Sequence, residues 1–557
     1  GFGFDAMTTG EYDEEKNFGG YSQLNMSYRK NGLELSAYAF GARQYQPDNK
    51  DLQQKTYLDK TWNQKSEIRQ EGIIEAMNFR LDASYQLDAN NSIGANFGFL
   101  RNPKQTWNGD MSSLILQDGD LSESSDSHAD FFWQKNNLSS NIYYVGKIGK
   151  LSIDFNTDWL WSKEYQNDVT KEQYQEVGMN AQSQTAHSLT NKDYHLLASK
   201  LVLSYPLLGG NLSLGGEYSN THRTSKYQVV PTNLVADDDS RITESMTSSF
   251  LTYSRDFGNL SLEAGMRYEY IDFNYYEYGK YVPGQSKSYG NWFPSLSLSM
   301  PVGKVQMQLS YAADINRPSY HNLRSGIQYD NRYTYETGNP FLVSQISRNL
   351  NYELAYKWLT FDMTYSHTSH PIMPTVETYK DNPAIGLMKP VNGNSYNDVA
   401  ASINLRPSFG IWYPSFTASV DKQWFDMETH DGKSLNKPMA SFRLDNTLNT
   451  KLGMFTLMMS YITKGHEKNQ YLYKPMFCTN VSAYKALLKD HLSFQLFIYD
   501  LFGTSDSHMI AHFGKIKEMV YDGLSTSKVS LTIRYKFNTA RSKYQGTGAG
   551  MSQKNRM

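Results

Sequence analysis

Apolar and polar residues alternate one by one along many stretches of this chain. Within 260–270, even-numbered positions carry Leu, Leu, Ala, Met, Tyr and Tyr, while odd-numbered positions carry Ser, Glu, Gly, Arg and Glu. The same alternation recurs over 304–311 and 529–538. A period of two separates the two classes of side chain onto opposite faces of a β-strand, which a helix cannot do. The pattern therefore predicts an all-β protein.

The alternating stretches are long for a soluble sheet, in which about five or six residues per strand is usual. Runs of this length with one apolar face suit a tilted strand that crosses a bilayer. Aromatic residues such as Trp159 and Trp161 gather near strand ends, as an interfacial girdle requires. A soluble propeller or β-helix would instead need short strands or a repeated motif. We therefore expect a transmembrane antiparallel up-and-down β-barrel.

The connections between strands fall into two classes. About twenty-two strands are predicted, with starts near residues 2, 17, 32, 74, 91, 130, 150, 192, 210, 241, 259, 288, 303, 343, 358, 393, 410, 438, 453, 471, 490 and 527. Short turns rich in Asn, Gly and Asp follow the even-numbered strands. Long polar connections follow most odd-numbered strands, at 46–72, 103–128, 166–190, 316–342, 370–392 and 503–526.

Short turns on one rim and long loops on the other are typical of barrels in the outer membrane of Gram-negative bacteria. An even strand count places both termini in the periplasm, and outer-membrane lipid is the predicted surrounding. The barrel with its long extracellular loops is expected to span 1–538. A polar periplasmic tail is expected at 539–557.

Composition and motifs exclude several functions. Lys and Arg number 54 against 56 Asp and Glu, so the chain has no basic signature of nucleic-acid binding. The single cysteine, Cys478, excludes a disulfide framework and a Cys-rich metal site. Hydrolase, phosphate-loop and dinucleotide motifs are also absent from the sequence. We predict no catalytic residue, no metal site and no cofactor, and hence a protein that is not an enzyme.

The polar faces of the strands should point into the lumen, and Glu263 and Arg267 are examples. A barrel of about twenty-two strands has a lumen that is normally plugged. The chain leaves no globular segment over for a plug. We expect the plug domain to lie upstream of Gly1 in a longer precursor or to come from a partner chain.

Several segments resemble a known family. Residues 316–323, 333–342 and 349–356 (NRPSYHNL, YTYETGNPFL and NLNYELAY) resemble a block in the barrel half of TonB-dependent outer-membrane transporters. Residues 500–503 and 534–550 are similar to a branch of outer-membrane β-barrel proteins common in Bacteroidota. The resemblance implies a 22-stranded barrel that the TonB complex energises through a plug, although this chain shows neither a plug nor a TonB box.

The resemblance predicts that the protein takes up a nutrient through a normally plugged lumen. The nutrient could be a small molecule, a glycan or a peptide. A passive or partner-plugged channel or translocon is the main alternative, and a barrel enzyme or adhesin is a weaker one. The predicted ligand-binding residues lie in loop 316–342 and the lumen: Tyr320, Tyr329, Arg332, Tyr333, Tyr335, Glu263 and Arg267.

The same loop has a second interpretation. Tyr and Arg side chains at a lumen mouth suit stacking on a sugar or peptide. Pro318 and the segment 338–340 are turn formers that would instead fold the loop back against the barrel wall. Because the block resembles a pattern shared by transporters of different cargo, we favour the structural role.

Overall fold

The strands close into one barrel in a computed structural model of the protein, which describes residues 1–380, 382–523, 527–539 and 542–557. Within these ranges, twenty-two strands form an antiparallel sheet in which each pairs with the next barrel strand along the chain. The first strand also pairs with the last, from Phe4 opposite Phe537 to Asp13 opposite Lys528. Closure leaves no strand edge unpaired in lipid, where each unpaired backbone group would cost several kcal/mol. The predicted all-β, 22-stranded barrel is confirmed.

The barrel strands are Phe2–Asp13, Phe18–Lys30, Leu33–Tyr57, Thr61–Gln86, Ser92–Gln117, Asp120–Ile148, Leu151–Glu176, Gln182–Leu207, Gly210–Val230, Asp238–Phe257, Leu260–Glu277, Lys287–Val302, Val305–Asn316, Gln345–Tyr356, Leu359–Ser369, Tyr396–Leu405, Trp412–Trp424, Met439–Asn449, Met454–Ile462, Met476–Leu487, Leu492–Tyr499 and Lys528–Phe537. The described loops add the short strands Lys280–Tyr281, Ile327–Asn331, Thr334–Thr337, Ile372–Tyr379, Asn382–Asn392, Gly465–Glu467, Gln470–Leu472, Ser507–Phe513 and Ile516–Asp522. A 3-10 turn covers Pro283–Gln285, and a single α-helical turn covers Met551–Lys554.

The last strand shows how the alternating sequence sets the two faces of the barrel. Its apolar members, Val529, Leu531, Ile533, Tyr535 and Phe537, are 37–47% exposed on the protein surface, whereas Ser530 is 4% exposed. Arg534 lies on the inner face and pairs with Asp5 of the first strand. The apolar face is therefore solvated by hydrocarbon, and the polar face lines the lumen. Among the described residues, no helix is long and apolar enough to cross a membrane.

Eight consecutive strands, from Leu33 to Phe257, are 20 to 29 residues long and form what we call the tall wall. A tilted strand needs only about 9–11 residues to cross a bilayer, so these strands project beyond the membrane. The predicted loops 46–72, 103–128 and 166–190 are wrong, because most of their residues continue the strands and only short turns remain at 58–60, 118–119 and 177–181. Both faces of a projecting sheet can carry polar residues, which removes the alternation that marks a membrane strand.

Loop strands extend the tall wall. Strand Ile516–Asp522 pairs with the projecting end of Leu33–Tyr57, from Lys50 opposite Asp522 to Thr56 opposite Ile516. The predicted loops 370–392 and 503–526 each contain a hairpin rather than an irregular chain. Residues 381 and 524–526 of these loops, and 540 and 541 of the predicted tail, lie outside the described residues.

The two rims of the barrel differ as predicted. We call them the short-turn rim and the long-loop rim. Both ends of the barrel lie at the short-turn rim, where the Gly1 amino group donates to the Arg29 carbonyl at 2.5 Å and the Asn538 amide donates to the Phe2 carbonyl at 2.8 Å. Placing this rim in the periplasm remains a prediction.

Candidate functional site

The loop 317–342, which we call the inner loop, folds back against the inner face of the tall wall. Its residues Tyr320, Leu323 and Leu342 join a buried cluster with barrel-strand residues that include Ile242 of the tall wall and Phe273 of the next strand. Farther along, its tyrosines pack in a second cluster with Tyr227, Val229 and Leu387. These apolar contacts fix the inner loop over the lumen. The loop therefore folds back against the barrel wall, as its turn-forming residues predict.

The five loop residues predicted to bind a ligand are all engaged inside the protein. Tyr320, Tyr329, Tyr333 and Tyr335 are each no more than 7% exposed. The Tyr320 hydroxyl donates to Glu244 at 3.1 Å, the Tyr333 hydroxyl donates to Glu123 at 2.7 Å, and the Tyr329 hydroxyl donates to Glu172. Tyr335 packs against the rings of Tyr329 and Tyr379, at centroid distances of 5.3 and 4.7 Å.

Arg332 is the charged anchor of this loop. Its backbone N–H donates to a Glu172 oxygen at 2.7 Å, and its guanidinium pairs with Glu123. The guanidinium also lies 3.5 Å from the ring centroid of Tyr174. Because these partners come from two wall strands, Arg332 holds the loop to the tall wall.

Electrostatics reinforce the docking of the inner loop. Burial disfavours ionisation of Glu336, but hydrogen bonds from His321 and Arg324 outweigh it and lower the pKa of Glu336 to about 2. Burial raises the pKa of the neighbouring Asp330 to about 7, and the attraction of Arg324 offsets only part of this effect. On the wall, burial likewise raises the pKa of Asp168 to about 7. Glu336 of the inner loop is therefore firmly ionised, whereas Asp330 of the loop and Asp168 of the wall titrate near neutral pH.

A cavity of about 560 Å³ lies between the inner loop and the barrel wall. The barrel strands contribute Arg267, Glu269, Phe293 and residues 313–316 to its lining, and the inner loop contributes residues 317–319 and 322. Arg267 donates to Glu269 at 2.5 Å, and Arg317 of the inner loop pairs with the other oxygen of the same carboxylate. Of the seven predicted site residues, Arg267 is the one that lines this cavity.

Glu263 lies on the same strand as Arg267, nearer to the short-turn rim. It shares the inner face with Arg267 and is exposed in the lumen, below the cavity. It has no part in the lining of the cavity. The structure therefore separates these two predicted lumen residues.

The C-terminal segment also lines the cavity, which the sequence did not predict. The segment 542–557, expected as a periplasmic tail, runs inside the barrel, and its residues Ser552, Asn555 and Arg556 line the cavity. Arg556 pairs with Glu244 on the tall wall at 2.5 Å. A polar sequence rich in Gly, Ser and Gln resembles a linker, so its composition gave no signal of docking.

Within the described part of the chain, no group of three or more His, Cys, Asp or Glu side chains is arranged to hold a metal ion. Cys478 lies in a barrel strand, opposite Ser460 of its neighbour.

A comparison of the barrel sequence with models of protein families identifies the family of this chain. A sequence model of the outer membrane protein beta-barrel family matches residues 147–535. The chain belongs to this family. Membership and the closed barrel together place this outer membrane β-barrel protein in the outer membrane. A comparison with curated protein sequences finds no match.

Solved structures share the fold of this outer membrane β-barrel protein. The siderophore receptor PirA from Pseudomonas aeruginosa superposes with a TM-score of 0.56 at 12% identity, over 96% of this chain and 80% of that one. The hemophore receptor HasR from Serratia marcescens gives 0.58 at 12% identity, over 96% and 80%. The iron transporter FrpB from Neisseria meningitidis gives 0.59 at 11% identity, over 96% and 82%. The superpositions show a common architecture, and at sequence identities of 11–12% they show the fold alone.

Proposed function

We propose that this barrel is the membrane part of a TonB-dependent receptor that imports a nutrient across the outer membrane. The observation that carries the proposal is the closed 22-stranded barrel with a folded loop and a cavity over its lumen. A passive porin leaves an aqueous channel, whereas barrels of 22 strands are built around a plugged lumen. The long-loop rim then faces outside the cell, and the two ends of the barrel, near Gly1 and Asn538, face the periplasm.

The tall wall supports a role in capture. Its strands exceed the length needed to cross the membrane by about 10–18 residues, or about 30–60 Å along the strand. Such a wall shields a vestibule above the cavity. In the proposed mechanism, cargo binds in this vestibule, and displacement of a plug by the TonB complex opens the route downward.

Iron chelates are the first cargo to test. Three proteins of the same fold are a siderophore receptor, a hemophore receptor solved with haem, and an iron transporter. Arg267 and Glu269 in the cavity lining are the proposed cargo contacts. Glycans and peptides remain candidates, because loops of ordinary composition suit them equally.

A deletion strain grown on defined nutrients tests this proposal. We expect a growth defect on one nutrient class, restored by the wild-type gene, with direct binding of that nutrient to the purified protein. Uptake should stop when the proton-motive force is collapsed. Uptake that survives collapse would favour the passive or partner-plugged channel, and growth without any defect would contradict nutrient import.

A further inference from the structure

The C-terminal segment follows a continuous path across the inner face of the tall wall. The Lys543 N–H donates to Glu34 at 2.7 Å near the short-turn rim. The Tyr544 ring then packs edge-on against Tyr143, with 4.8 Å between centroids. At the end of the chain, Arg556 reaches Glu244, which lies seven strands away from Glu34 along the barrel. The segment therefore crosses most of the wall as it rises through the lumen.

Wall side chains capture four consecutive backbone N–H groups of this segment. Those of Thr547 and Gly548 donate to the Asn156 side chain, each at 3.1 Å. The next N–H, of Ala549, donates to Asp158 at 3.0 Å. That of Gly550 donates to Glu217 at 2.6 Å. Side chains of the wall thus accept hydrogen bonds from four successive backbone amides of the segment.

Buried ion pairs complete the site. Asp158 is 5% exposed and pairs with Lys554, and Glu244 is 2% exposed and pairs with Arg556. Removing one partner of a buried pair leaves an uncompensated charge, which is strongly unfavourable. Gln553, which directly precedes Lys554, is fully buried. Residues 549, 550, 553 and 556 of the segment are therefore buried, although its composition is that of a tail.

Steric fit requires glycine at one step of the path. Gly550 has a φ of 68°, a conformation that side-chain-bearing residues rarely adopt. A Cβ added there would lie 2.7 Å from the Cβ of Ala198 on the wall. The backbone thus approaches the wall too closely for any other residue.

The same segment grips the inner loop. Arg556 donates from Nε to the Pro318 carbonyl at 2.9 Å, and its own carbonyl accepts the Tyr320 N–H at 3.2 Å. Its guanidinium lies 4.2 Å from the Tyr320 ring centroid. Arg317 donates to the Ser552 hydroxyl at 3.2 Å. The wall, the C-terminal segment and the inner loop form one connected unit.

We propose that the inner wall is a binding site for the chain's own C-terminal peptide, residues 543–557, and that this peptide is a strap that holds the inner loop closed over the lumen. The strap crosses the wall as an extended chain with one helical turn, and it forms no sheet pairing with the barrel. The proposal requires only the barrel and is independent of the transport activity proposed above.

Hydrogen exchange of the full-length protein in detergent tests the seating of the strap. We expect protected amides at 547–550 and in the inner loop. The variant Gly550→Val should raise exchange about tenfold or more in both segments, because it unseats the strap. Gly432→Val is the matched control, since Gly432 also has a positive φ, 64°, but has open space around its Cβ position. Exchange of 547–550 in wild-type protein at the rate of an unstructured peptide would overturn the proposal, as would an inner loop unaffected by Gly550→Val.

A charge-pair cycle keeps the test valid if Gly550→Val fails to fold. Glu244→Gln and Arg556→Gln each leave one buried charge unpaired and should each raise exchange at 547–550. The double variant leaves no charge behind and should regain much of the protection. A double variant that exchanges as fast as the faster single variant would contradict the assigned pair.

A permeability assay tests the closure. Cells that carry Gly550→Val should become more sensitive than cells that carry Gly432→Val to vancomycin, a bulky polar antibiotic. Equal sensitivity, with the strap shown to be unseated by exchange, would refute the closing role. This assay uses no nutrient, so its failure is distinct from a failure of the proposed transport function.

Discussion

Leu531→Arg is the sharpest test of which face of the barrel meets lipid. Leu531 lies near the middle of the last strand and is 47% exposed on the protein surface. Its register neighbours are Gly10 and Leu496, so an arginine there would find no acidic partner. Arg on the lipid face costs about 2–4 kcal/mol at the bilayer midplane. The folded-to-unfolded ratio should therefore fall by about 30- to 900-fold.

The matched control is Gln495→Arg on the neighbouring strand. Gln495 pairs with Thr532 and lies at the same depth as Leu531, but on the inner face. An arginine there enters a polar lumen that already holds Arg534 and should change the free energy of unfolding by less than about 1 kcal/mol.

Denaturant titration of the barrel in phospholipid vesicles measures both variants, and the heat-modifiable mobility of folded barrels on gels reports assembly in cells. We expect Leu531→Arg to shift the unfolding midpoint or block assembly while Gln495→Arg behaves as wild type. Equal effects of the two variants would refute the assignment of the faces, and with it the membrane barrel.

Three further predictions concern the docking of the inner loop. Asp168 has a folded pKa of about 7, raised above its unfolded value by burial, so its contribution to stability is lost as pH rises from about 4 to 7. Asp168→Asn should therefore gain about 2–4 kcal/mol over wild type at pH 8 and little at pH 4, as measured by thermal unfolding in detergent. Tyr320→Phe keeps the buried ring but removes the hydrogen bond to Glu244, and should weaken docking by about 1 kcal/mol, seen as faster amide exchange confined to the inner loop. Arg332→Met leaves Glu123 without its cation and should loosen the loop by about 2 kcal/mol, with greater protease cleavage within 317–342; unchanged cleavage would contradict the anchoring role.

The membrane part of the fold was accessible from sequence because lipid imposes a simple rule. Hydrocarbon outside and a polar lumen inside force alternation, so nearly every predicted strand start lies within a few residues of the observed one. The exceptions are strands such as Thr61–Gln86, predicted to begin near residue 74. Their outer halves stand beyond the bilayer, where no medium selects apolar residues on one face.

The candidate site was less accessible because its contacts join distant parts of the chain. The turn formers in 316–342 correctly favoured a loop folded against the wall. The partners of that loop, such as Glu123 and Glu244, carry no local pattern that marks them. The seat of the C-terminal segment depends on Asn156 and Glu217, which lie more than 300 residues away. Such pairings arise from barrel closure and are invisible to periodicity.

The pairing of strand Ile516–Asp522 with the projecting end of Leu33–Tyr57 has a consequence for a crowded cell envelope. A sheet that rises above the bilayer would otherwise offer a ladder of free amide and carbonyl groups to any adjacent copy. Because residues of the same chain occupy that ladder, this part of the projecting strand cannot pair with a strand of a neighbouring barrel.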